Sequence, residues 1–199
     1  MSKWNLIIDV DLCCNCGNCS LAIKDEYVGN TFPGYAASQP LHGSEWFRVD
    51  RHVRGEGTHV DVTYIPKTCN HCDDAPCLKK GEGAVKKRDD GIVIIDEIAA
   101  KGRKDLVSAC PYGAICWNDE LQLPQSWPFD AHLIDAGSQE PRPAQVCPTG
   151  AVRAVKVDDA ERDRMIQAQC LEVLRPEFGT QPRVFYRGLQ RLRTVFVAG

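Results

Sequence analysis

The chain has 199 residues, a net charge of −3 and 43% hydrophobic residues, which is enough apolar material for one large or two small domains. A mildly acidic chain without a basic stripe has no footprint for nucleic acid, so nucleic acid is excluded as a partner. No apolar run approaches membrane-spanning length, so we expect no direct membrane insertion. The sequence also has no nucleophile motif, phosphate loop or dinucleotide fingerprint. It is therefore predicted to be non-catalytic on its own.

The first predicted element is a buried strand at residues 5–10, an apolar run with little alternation. It leads into a C-x2-C-x2-C group formed by Cys13, Cys16 and Cys19. The predicted sheet partner of this strand is the alternating segment 151–157, far along the chain.

A second cysteine group, with C-x2-C-x4-C spacing, consists of Cys69, Cys72 and Cys77. After it, residues 84–88 and 91–95 flank an Asp-Asp turn and predict a β-hairpin. The basic run at residues 86–88 is interpreted as a solvated face of this hairpin. Residues 97–109 are then predicted to be a helix.

Two copies of a C-P-x-G-A phrase follow, one beginning at Cys110 and the other at Cys147. Beyond the second copy, residues 158–174 are predicted to form a helix capped by Asp158 or Asp159. The basic tail around residues 183–187 is too short for a domain of its own. It is expected either to pack back on the rest of the chain or to lie on another subunit.

The cysteine spacing predicts two [4Fe-4S] clusters, because a cubane takes three close cysteines and one remote cysteine followed by proline. In two-cluster ferredoxins the Cys-Pro cysteine serves the other cluster, so the remote pairings are preferred. The predicted ligands are Cys13, Cys16, Cys19 and Cys147 for cluster 1, and Cys69, Cys72, Cys77 and Cys110 for cluster 2. Zinc is an alternative, although it usually takes two separated C-x2-C pairs. A disulfide framework is a weaker one, since the thiols are too closely grouped to link distant loops.

Three of the eleven cysteines are left over from this assignment, namely Cys14, Cys116 and Cys170. Cys14 could replace Cys13 as a ligand, whereas the other two are interpreted as small buried hydrophobic residues. His71 lies inside the second group. It is expected either to donate an N–H to a cluster sulfur or simply to be packed.

The predicted fold class is α+β, with two interleaved ferredoxin-like modules, cluster-binding loops, a C-terminal helix and an extended tail. The first module is discontinuous and comprises residues 1–65 and 119–157. The second is inserted as residues 66–118, and residues 158–199 form the helix and a subunit-docking tail.

The chain resembles the four-cluster iron–sulfur subunits of the dimethyl-sulfoxide-reductase family of molybdenum and tungsten enzymes. The matching segments are residues 69–77, 87–91 and 109–114. Within that family it most resembles the small subunits of the pyrogallol–phloroglucinol transhydroxylase and resorcinol hydroxylase group. That likeness is carried by residues 34–38, 131–135 and 175–184.

The resemblance also shows what is missing, because four clusters need sixteen cysteines. One absent cluster would have ligands at Gly81, Ala100, Arg103 and Leu106; the other would have one at Ile23 and others near Trp127, Asp130 and Pro143. Both clusters therefore look deleted as whole units. The transhydroxylase small subunit, by resemblance, keeps three clusters and a C-terminal β-barrel, whereas this chain is expected to keep two clusters and to stop before the barrel.

The resemblance implies a subunit for electron transfer that docks on a large catalytic partner, which holds molybdenum or tungsten on bis-molybdopterin guanine dinucleotide. An external electron acceptor and a phenolic substrate of the resorcinol or pyrogallol type are expected. The alternatives are a scaffold with structural clusters and a freestanding ferredoxin-like carrier. No secretory signal opens the sequence, so a cytoplasmic location is expected.

Overall fold

The structure is a computed structural model that describes residues 1–192. Its nine strands within that range are short, and they alternate with helices and loops. The strands are β1 (Lys3–Asp9), β2 (Arg48–Glu56), β3 (His59–Lys67), β4 (Val85–Lys87), β5 (Val93–Ile95), β6 (Cys116–Asn118), β7 (Leu123–Gln125), β8 (Val152–Val157) and β9 (Val184–Arg187). The α-helices are α1 (Asn18–Tyr27), α2 (Pro76–Gly81), α3 (Ala131–Asp135), α4 (Arg142–Gln145) and α5 (Asp159–Gln169), and 3-10 turns cover Lys104–Ala109, Pro176–Phe178 and Leu189–Leu192. The architecture is mixed α and β, as predicted.

A three-stranded sheet with the order β8-β1-β9 forms the centre of the fold. β1 pairs antiparallel with β8, with Lys3 opposite Val157 and Ile8 opposite Val152. This pairing confirms the predicted partnership of the two segments. Side chains on both faces of β1 are buried, which explains the nearly continuous apolar run.

β9 lies on the other side of β1 and runs parallel to it, with Leu6 opposite Val184 and Asp9 opposite Arg187. The part of the basic tail around residues 183–187 therefore packs back on the fold. The prediction that the rest of the tail docks on another subunit falls largely on residues 193–199, which lie outside the described residues.

The predicted hairpin is confirmed, with β4 and β5 pairing antiparallel and Lys87 opposite Val93. Its turn places Gly91 at φ 88°, a backbone conformation that glycine adopts without strain. Two further antiparallel pairs, β2 with β3 and β6 with β7, complete the strands.

The predicted helix at residues 97–109 is wrong, because only a 3-10 turn at Lys104–Ala109 forms there. The Asp96 carboxylate accepts hydrogen bonds from the backbone N–H groups of Ile98 and Ala99, each at 3.0 Å. Such side-chain bonds offer the backbone an alternative to a helix. Gly102, at φ 78°, then turns the chain away from helical geometry.

The predicted helix at residues 158–174 begins as expected, with the Asp158 carboxylate accepting from the Glu161 N–H at 2.8 Å. It ends early, at Gln169, because Cys170 takes a left-handed conformation with φ 51°. The N–H of Leu171 then reaches back to the Ile166 carbonyl at 2.9 Å, which is the Schellman ending.

Two main apolar cores support these elements. The larger surrounds β1 and includes the fully buried Trp46 and Trp127. The second core is built entirely from residues between Cys77 and Ile115. Within residues 1–192, no helix combines the length and the apolar character needed to cross a bilayer.

Candidate metal centres

The first cysteine group lies where β1 gives way to α1. Cys13 and Cys16 lie in the connecting loop, and Cys19 lies in the first turn of α1. Two left-handed residues, Asn15 at φ 56° and Gly17 at φ 78°, coil the loop tightly between them. The thiols are thereby held at successive points around one turn of chain.

Sheet pairing brings Cys147 to this loop. Because β1 and β8 are antiparallel and Ile8 lies opposite Val152, the residues after β1 and those before β8 lie at one end of the sheet. A hollow lies there. The side chains lining it include Cys13, Cys14, Cys16, Cys19, Cys147, Val49, Pro66, Ala151 and Val152.

Backbone hydrogen bonds are directed at the Cys147 sulfur. Burial acts to raise the pKa of the Cys147 thiol, but hydrogen bonds from Val152, Thr149 and Ala151 outweigh burial and lower it. In contrast, burial raises the pKa of Cys19 to about 11. Donors aimed at sulfur favour the thiolate, which is the form that binds metal.

The second cysteine group follows β3 in the same way. Cys69 and Cys72 lie in the loop, and Cys77 lies in the first turn of α2, after Pro76 at the helix start. α2 packs against the 3-10 turn Lys104–Ala109. This contact brings Cys110, the residue that ends the turn, to the other three thiols.

The four thiols of the second group are close enough to act on one another electrostatically. Burial is the main cause that raises the pKa of Cys69, and Cys110, Cys77 and Cys72 each raise it further. Burial likewise raises the pKa of Cys72 and of Cys77 to about 11. The Ala114 N–H donates to the Cys110 sulfur at 3.4 Å. The group is thus a set of one buried and three partly buried cysteines with a backbone donor.

The segment 180–183 is hydrogen-bonded along the second cysteine loop. The N–H of Arg183 donates to the Asn70 carbonyl at 2.8 Å, and the N–H of Asp73 donates to the Gln181 carbonyl at 2.9 Å. No sequence motif predicts this role, and only the resemblance of residues 175–184 to the family pointed to the segment. The C-terminal part of the described chain therefore forms one wall of the second site.

Charged side chains reinforce this contact. The buried Arg183 guanidinium donates to Asp73 (Nε to Oδ2, 2.9 Å) and to Asp159 (Nη2 to Oδ1, 2.7 Å). Burial acts to raise the pKa of the Asp73 carboxyl, but Arg183 and Lys87 lower it to about 2. The carboxylate therefore stays charged between two cations.

The interpretation of the basic run at residues 86–88 as a solvated face is wrong for Lys87, whose ammonium group contacts the second cysteine loop. Its ammonium group donates to the carbonyls of His71 and Cys72, at 2.9 and 2.8 Å, and pairs with Asp73 at 3.0 Å. A local charge pattern does not reveal these contacts, because the two carbonyl groups lie 16 and 15 residues from Lys87 in the sequence. Lys87 thus links β4 of the hairpin to the second cysteine loop.

The donor sets fit a cubane. The first set lines a shared hollow, and the thiols of the second set are close enough to act on one another electrostatically. Within residues 1–192 no three His, Cys, Asp or Glu side chains converge closely enough to hold a single ion. A [4Fe-4S] cubane is larger than an ion and takes one thiolate on each iron. The backbone donors supply the N–H···S bonds that such a charged group uses.

Comparison with known proteins identifies the family. The model of a 4Fe-4S dicluster domain matches residues 60–157. The pyrogallol hydroxytransferase small subunit of Pelobacter acidigallici is 40% identical over 200 residues, covering 99% of this chain and 73% of that protein. A tetrathionate reductase subunit of Salmonella typhimurium is 32% identical over 94% of this chain and 73% of its own length. A putative dimethyl sulfoxide reductase iron-sulfur subunit of Halobacterium salinarum is 30% identical over 94% and 79%, respectively.

The chain belongs to the iron–sulfur subunits of the dimethyl-sulfoxide-reductase family of molybdopterin oxidoreductases. As an iron–sulfur subunit of this family, it is an electron-transfer protein with 4Fe-4S sites. The resemblance predicted from its motifs is confirmed.

The structure shows what fills the positions where, by the family resemblance, the ligands of one further cluster would lie. Ala100 and Leu106 are fully buried in the second core. A Cβ atom at Gly81 would lie 2.8 Å from Cγ2 of Val85. Arg103 instead turns to the surface and pairs with Asp105. Apolar packing therefore occupies this space.

The second set of ligand positions that the resemblance implies lies around the larger core. The residues at or near its predicted positions are all buried, namely Ile23, Trp127, Asp130 and Pro143. Side chains of the subunit itself fill this region too.

His71 is packed rather than bonded to a thiol. Its Nδ1 accepts a hydrogen bond from the Val93 N–H at 3.0 Å, and its ring meets Trp127 and Phe129 edge-on. Burial, aided by the charge of Lys87, lowers the pKa of His71 to about 3, so the ring is neutral with its proton on Nε2. Nε2 has no hydrogen-bond partner within the described residues. Donation to a cluster sulfur stays a prediction.

The three remaining cysteines differ in their surroundings. Cys14 is exposed, and it lines the first hollow. The Sγ atom of the half-buried Cys116 lies 3.8 Å from the Glu45 carbonyl. Cys170 is exposed at the left-handed end of α5, so the prediction that it is buried is wrong.

Proposed function

We propose that the chain carries two [4Fe-4S] clusters, one on each four-thiol set. Cluster 1 is assigned to Cys13, Cys16, Cys19 and Cys147, and cluster 2 to Cys69, Cys72, Cys77 and Cys110. The observation that carries this proposal is the convergence of two separate sets of thiols, each with backbone donors to sulfur. When bound, such clusters accept and release single electrons.

We further propose that this chain is non-catalytic and relays electrons for a large partner. That partner would hold molybdenum or tungsten on bis-molybdopterin guanine dinucleotide, and an external acceptor would receive the electrons. Family membership supports this assignment, since several relatives are named as subunits of reductases.

The proposed reaction is hydroxylation or transhydroxylation of a phenolic ring of the resorcinol or pyrogallol type. Support comes from the similarity to the small subunit named for pyrogallol hydroxytransferase. Hydroxylation with water converts a ring C–H into C–OH and releases two protons and two electrons, which two clusters could carry away singly. Transhydroxylation is redox-neutral overall and leaves the relay a less direct role.

The interleaved organisation is also part of the proposal, with residues 1–65 and 119–157 as the first module and 66–118 as the inserted second. The second apolar core supports it, because all its members lie between Cys77 and Ile115. The remaining unit, residues 158–199, contributes β9 to the central sheet. Limited proteolysis of the native complex tests whether residues 66–118 persist as a protected fragment.

The test of function is anoxic purification with whatever co-purifies, followed by iron and sulfide analysis and electron paramagnetic resonance. We expect about eight irons per chain, a molybdopterin-containing partner and cluster reduction when resorcinol or pyrogallol is added. Cys110→Ser and Cys147→Ser should each remove one cluster. Cys170→Ser is the matched control because Cys170 is exposed and outside both sets. Zinc in place of iron would overturn the ligand assignment.

A scaffold role is the second candidate. The hydrogen bonds between residues 180–183 and the second cysteine loop favour it, because a cluster there would fasten distant parts of the chain. Clusters that stay oxidised throughout turnover with substrate would support the scaffold over the relay. A freestanding carrier would instead purify as a stable monomer with both clusters. A cytoplasmic location also belongs to this proposal, and cell fractionation tests it.

A further inference from the structure

Thr180 places a buried hydroxyl between the two halves of the second thiol set. Its Oγ1 lies 3.5 Å from the Sγ of Cys72 and 2.6 Å from the hydroxyl oxygen of Tyr112. Thr180 is only 3% exposed. Tyr112 follows Cys110 by two residues, so this pair of hydroxyls spans from one ligand segment to the other.

Metal binding fixes the direction of these hydrogen bonds. A thiol at Cys72 can donate to Thr180, but a thiolate bound to iron has no proton to give. The Thr180 hydroxyl must then donate to the sulfur, and the Thr180 oxygen can accept from Tyr112. Two hydroxyls in series would thus point their protons toward one cluster ligand, and donors in series polarise one another.

The surrounding chain holds Thr180 in place for this role. The Asp74 N–H donates to the Thr180 carbonyl at 3.1 Å, next to the bond from Asp73 to Gln181 at 2.9 Å. The Tyr112 ring rests edge-on against Phe178, with 5.5 Å between centroids. The hydroxyl therefore needs little rearrangement to meet a thiolate at Cys72.

The first thiol set offers a contrast. The Oγ1 of Thr149 lies 3.7 Å from the Cys147 sulfur, but that contact is exposed. Solvent weakens such a bond, whereas a hydrogen bond in a dry site acts at a lower dielectric. The two sites are therefore not equivalent.

We propose that Thr180, backed by Tyr112, is a positioning residue that raises the reduction potential of cluster 2. This inference rests on the proposed ligand set of that cluster. Reduction adds negative charge to the cluster and its sulfurs, so a hydroxyl that donates to sulfur stabilises the reduced form more than the oxidised form. Cluster 2 would consequently accept an electron more readily than it would without Thr180, a residue of the C-terminal segment.

The test is a redox titration of the anoxically purified complex, followed by electron paramagnetic resonance, with an iron count on each sample. Thr180→Val removes the hydroxyl at nearly constant volume, and Thr180→Ser keeps it. We expect Thr180→Val to lower the equilibrium constant for reduction of cluster 2 at least about threefold. At 59 mV per tenfold change for one electron, this is a fall in its reduction potential of about 28 mV or more. Thr180→Ser should stay near the unmodified protein.

Tyr112→Phe supplies an independent variant, since it removes the second hydroxyl and leaves Thr180 in place. It should shift the potential of cluster 2 in the same direction by a smaller amount, and it decides the matter if Thr180→Val fails to hold the cluster. Thr149→Val is the matched control and should leave cluster 2 unmoved. The inference is overturned if Thr180→Val has a full iron count and an unchanged reduction potential of cluster 2. If Thr180→Val does not hold the cluster, the same result in Tyr112→Phe overturns it. A second cluster missing from the unmodified complex overturns the proposed function instead.

Discussion

The Tyr27 hydroxyl donates a 2.7 Å hydrogen bond to Oδ1 of Asp130, and both side chains are fully buried. The indole N–H of Trp127 donates to the same oxygen at 2.8 Å, and the backbone N–H of Arg142 donates to Oδ2 at 2.8 Å. By the family resemblance, this region would otherwise hold ligands of a further cluster. In this chain the region is filled by a hydrogen-bonded network centred on Asp130.

Replacing Asp130 with alanine should destabilise the protein strongly. Two buried donors and one partly buried donor would lose their acceptor, and unsatisfied buried groups cost roughly 1 to 3 kcal/mol each. Partial relaxation should limit the total loss in the free energy of unfolding to about 3 kcal/mol, measured by urea titration under anoxic conditions. Asp119→Ala, at an exposed position, is the control and should change stability by less than about 0.5 kcal/mol. Equal effects of the two variants would contradict this account of the network.

A side chain at Gly81 should also be destabilising. The added Cβ of Gly81→Ala would lie within 2.9 Å of both Cβ and Cγ2 of Val85, and overpacking of this kind typically costs about 1 to 3 kcal/mol. Val85→Ala removes one of the two contacting atoms. The penalty of Gly81→Ala, measured as the change in unfolding free energy, should therefore be smaller when Val85→Ala is already present. A penalty that is the same in both backgrounds would show that the strain arises elsewhere.

Loss of the Arg183 guanidinium should weaken the second site selectively. Arg183→Met keeps much of the apolar stem but leaves Asp73 without one of its cations, and breaking a buried ion pair costs up to about 3 to 5 kcal/mol. Because Asp73 is only half-buried, we expect about 2 kcal/mol and a fall in iron from about eight to about four per chain. Iron analysis with resonance spectra assigns the lost cluster.

Arg175→Met is the matched control for Arg183→Met, since Arg175 is exposed and lies on the surface near the same segment. It should keep its iron. Loss of cluster 1 rather than cluster 2 in Arg183→Met would contradict the assignment of residues 180–183 to the second site.

Removal of iron should loosen two segments that are distant in sequence. If a cluster braces the second cysteine loop, chelation under anoxic conditions should raise amide hydrogen exchange in residues 70–74 and 180–183 together. The hairpin of β2 and β3 is the internal reference, because its own ladder holds it. Faster exchange in only one of the two segments would argue against a shared support.

The sequence predicts the parts of this fold that carry local signals. The buried run of β1, the alternation of β8 and the Asp-Asp turn before Gly91 each led to a correct element. The helix predicted before Cys110 failed because Asp96 captures backbone N–H groups that a helix would use. Propensity alone does not reveal that competition.

In the candidate metal centres too, features with a local sequence signal were predicted and features that depend on distant contacts were not. The spacing of the cysteines predicted two groups of four, and the structure brings each group together, although ligation itself stays a prediction. Thr180, Arg183 and Lys87 were missed because their partners lie between 15 and 110 residues away. Contacts over such distances depend on the assembled fold, so no local pattern signals them.

The position of β1 between β8 and β9 affects how the protein is made. During synthesis, β1 leaves the ribosome long before either neighbouring strand exists, and its apolar side chains Leu6, Ile7 and Ile8 have no sheet to join. Cys147 also arrives late, so a nascent chain cannot complete the first thiol set until β8 is about to emerge, and the second set, complete at Cys110, still lacks its contact with residues 180–183 at that stage. A chain that terminates before β8 and β9 would therefore expose an unpaired apolar strand, which is a feature that chaperones and proteases recognise.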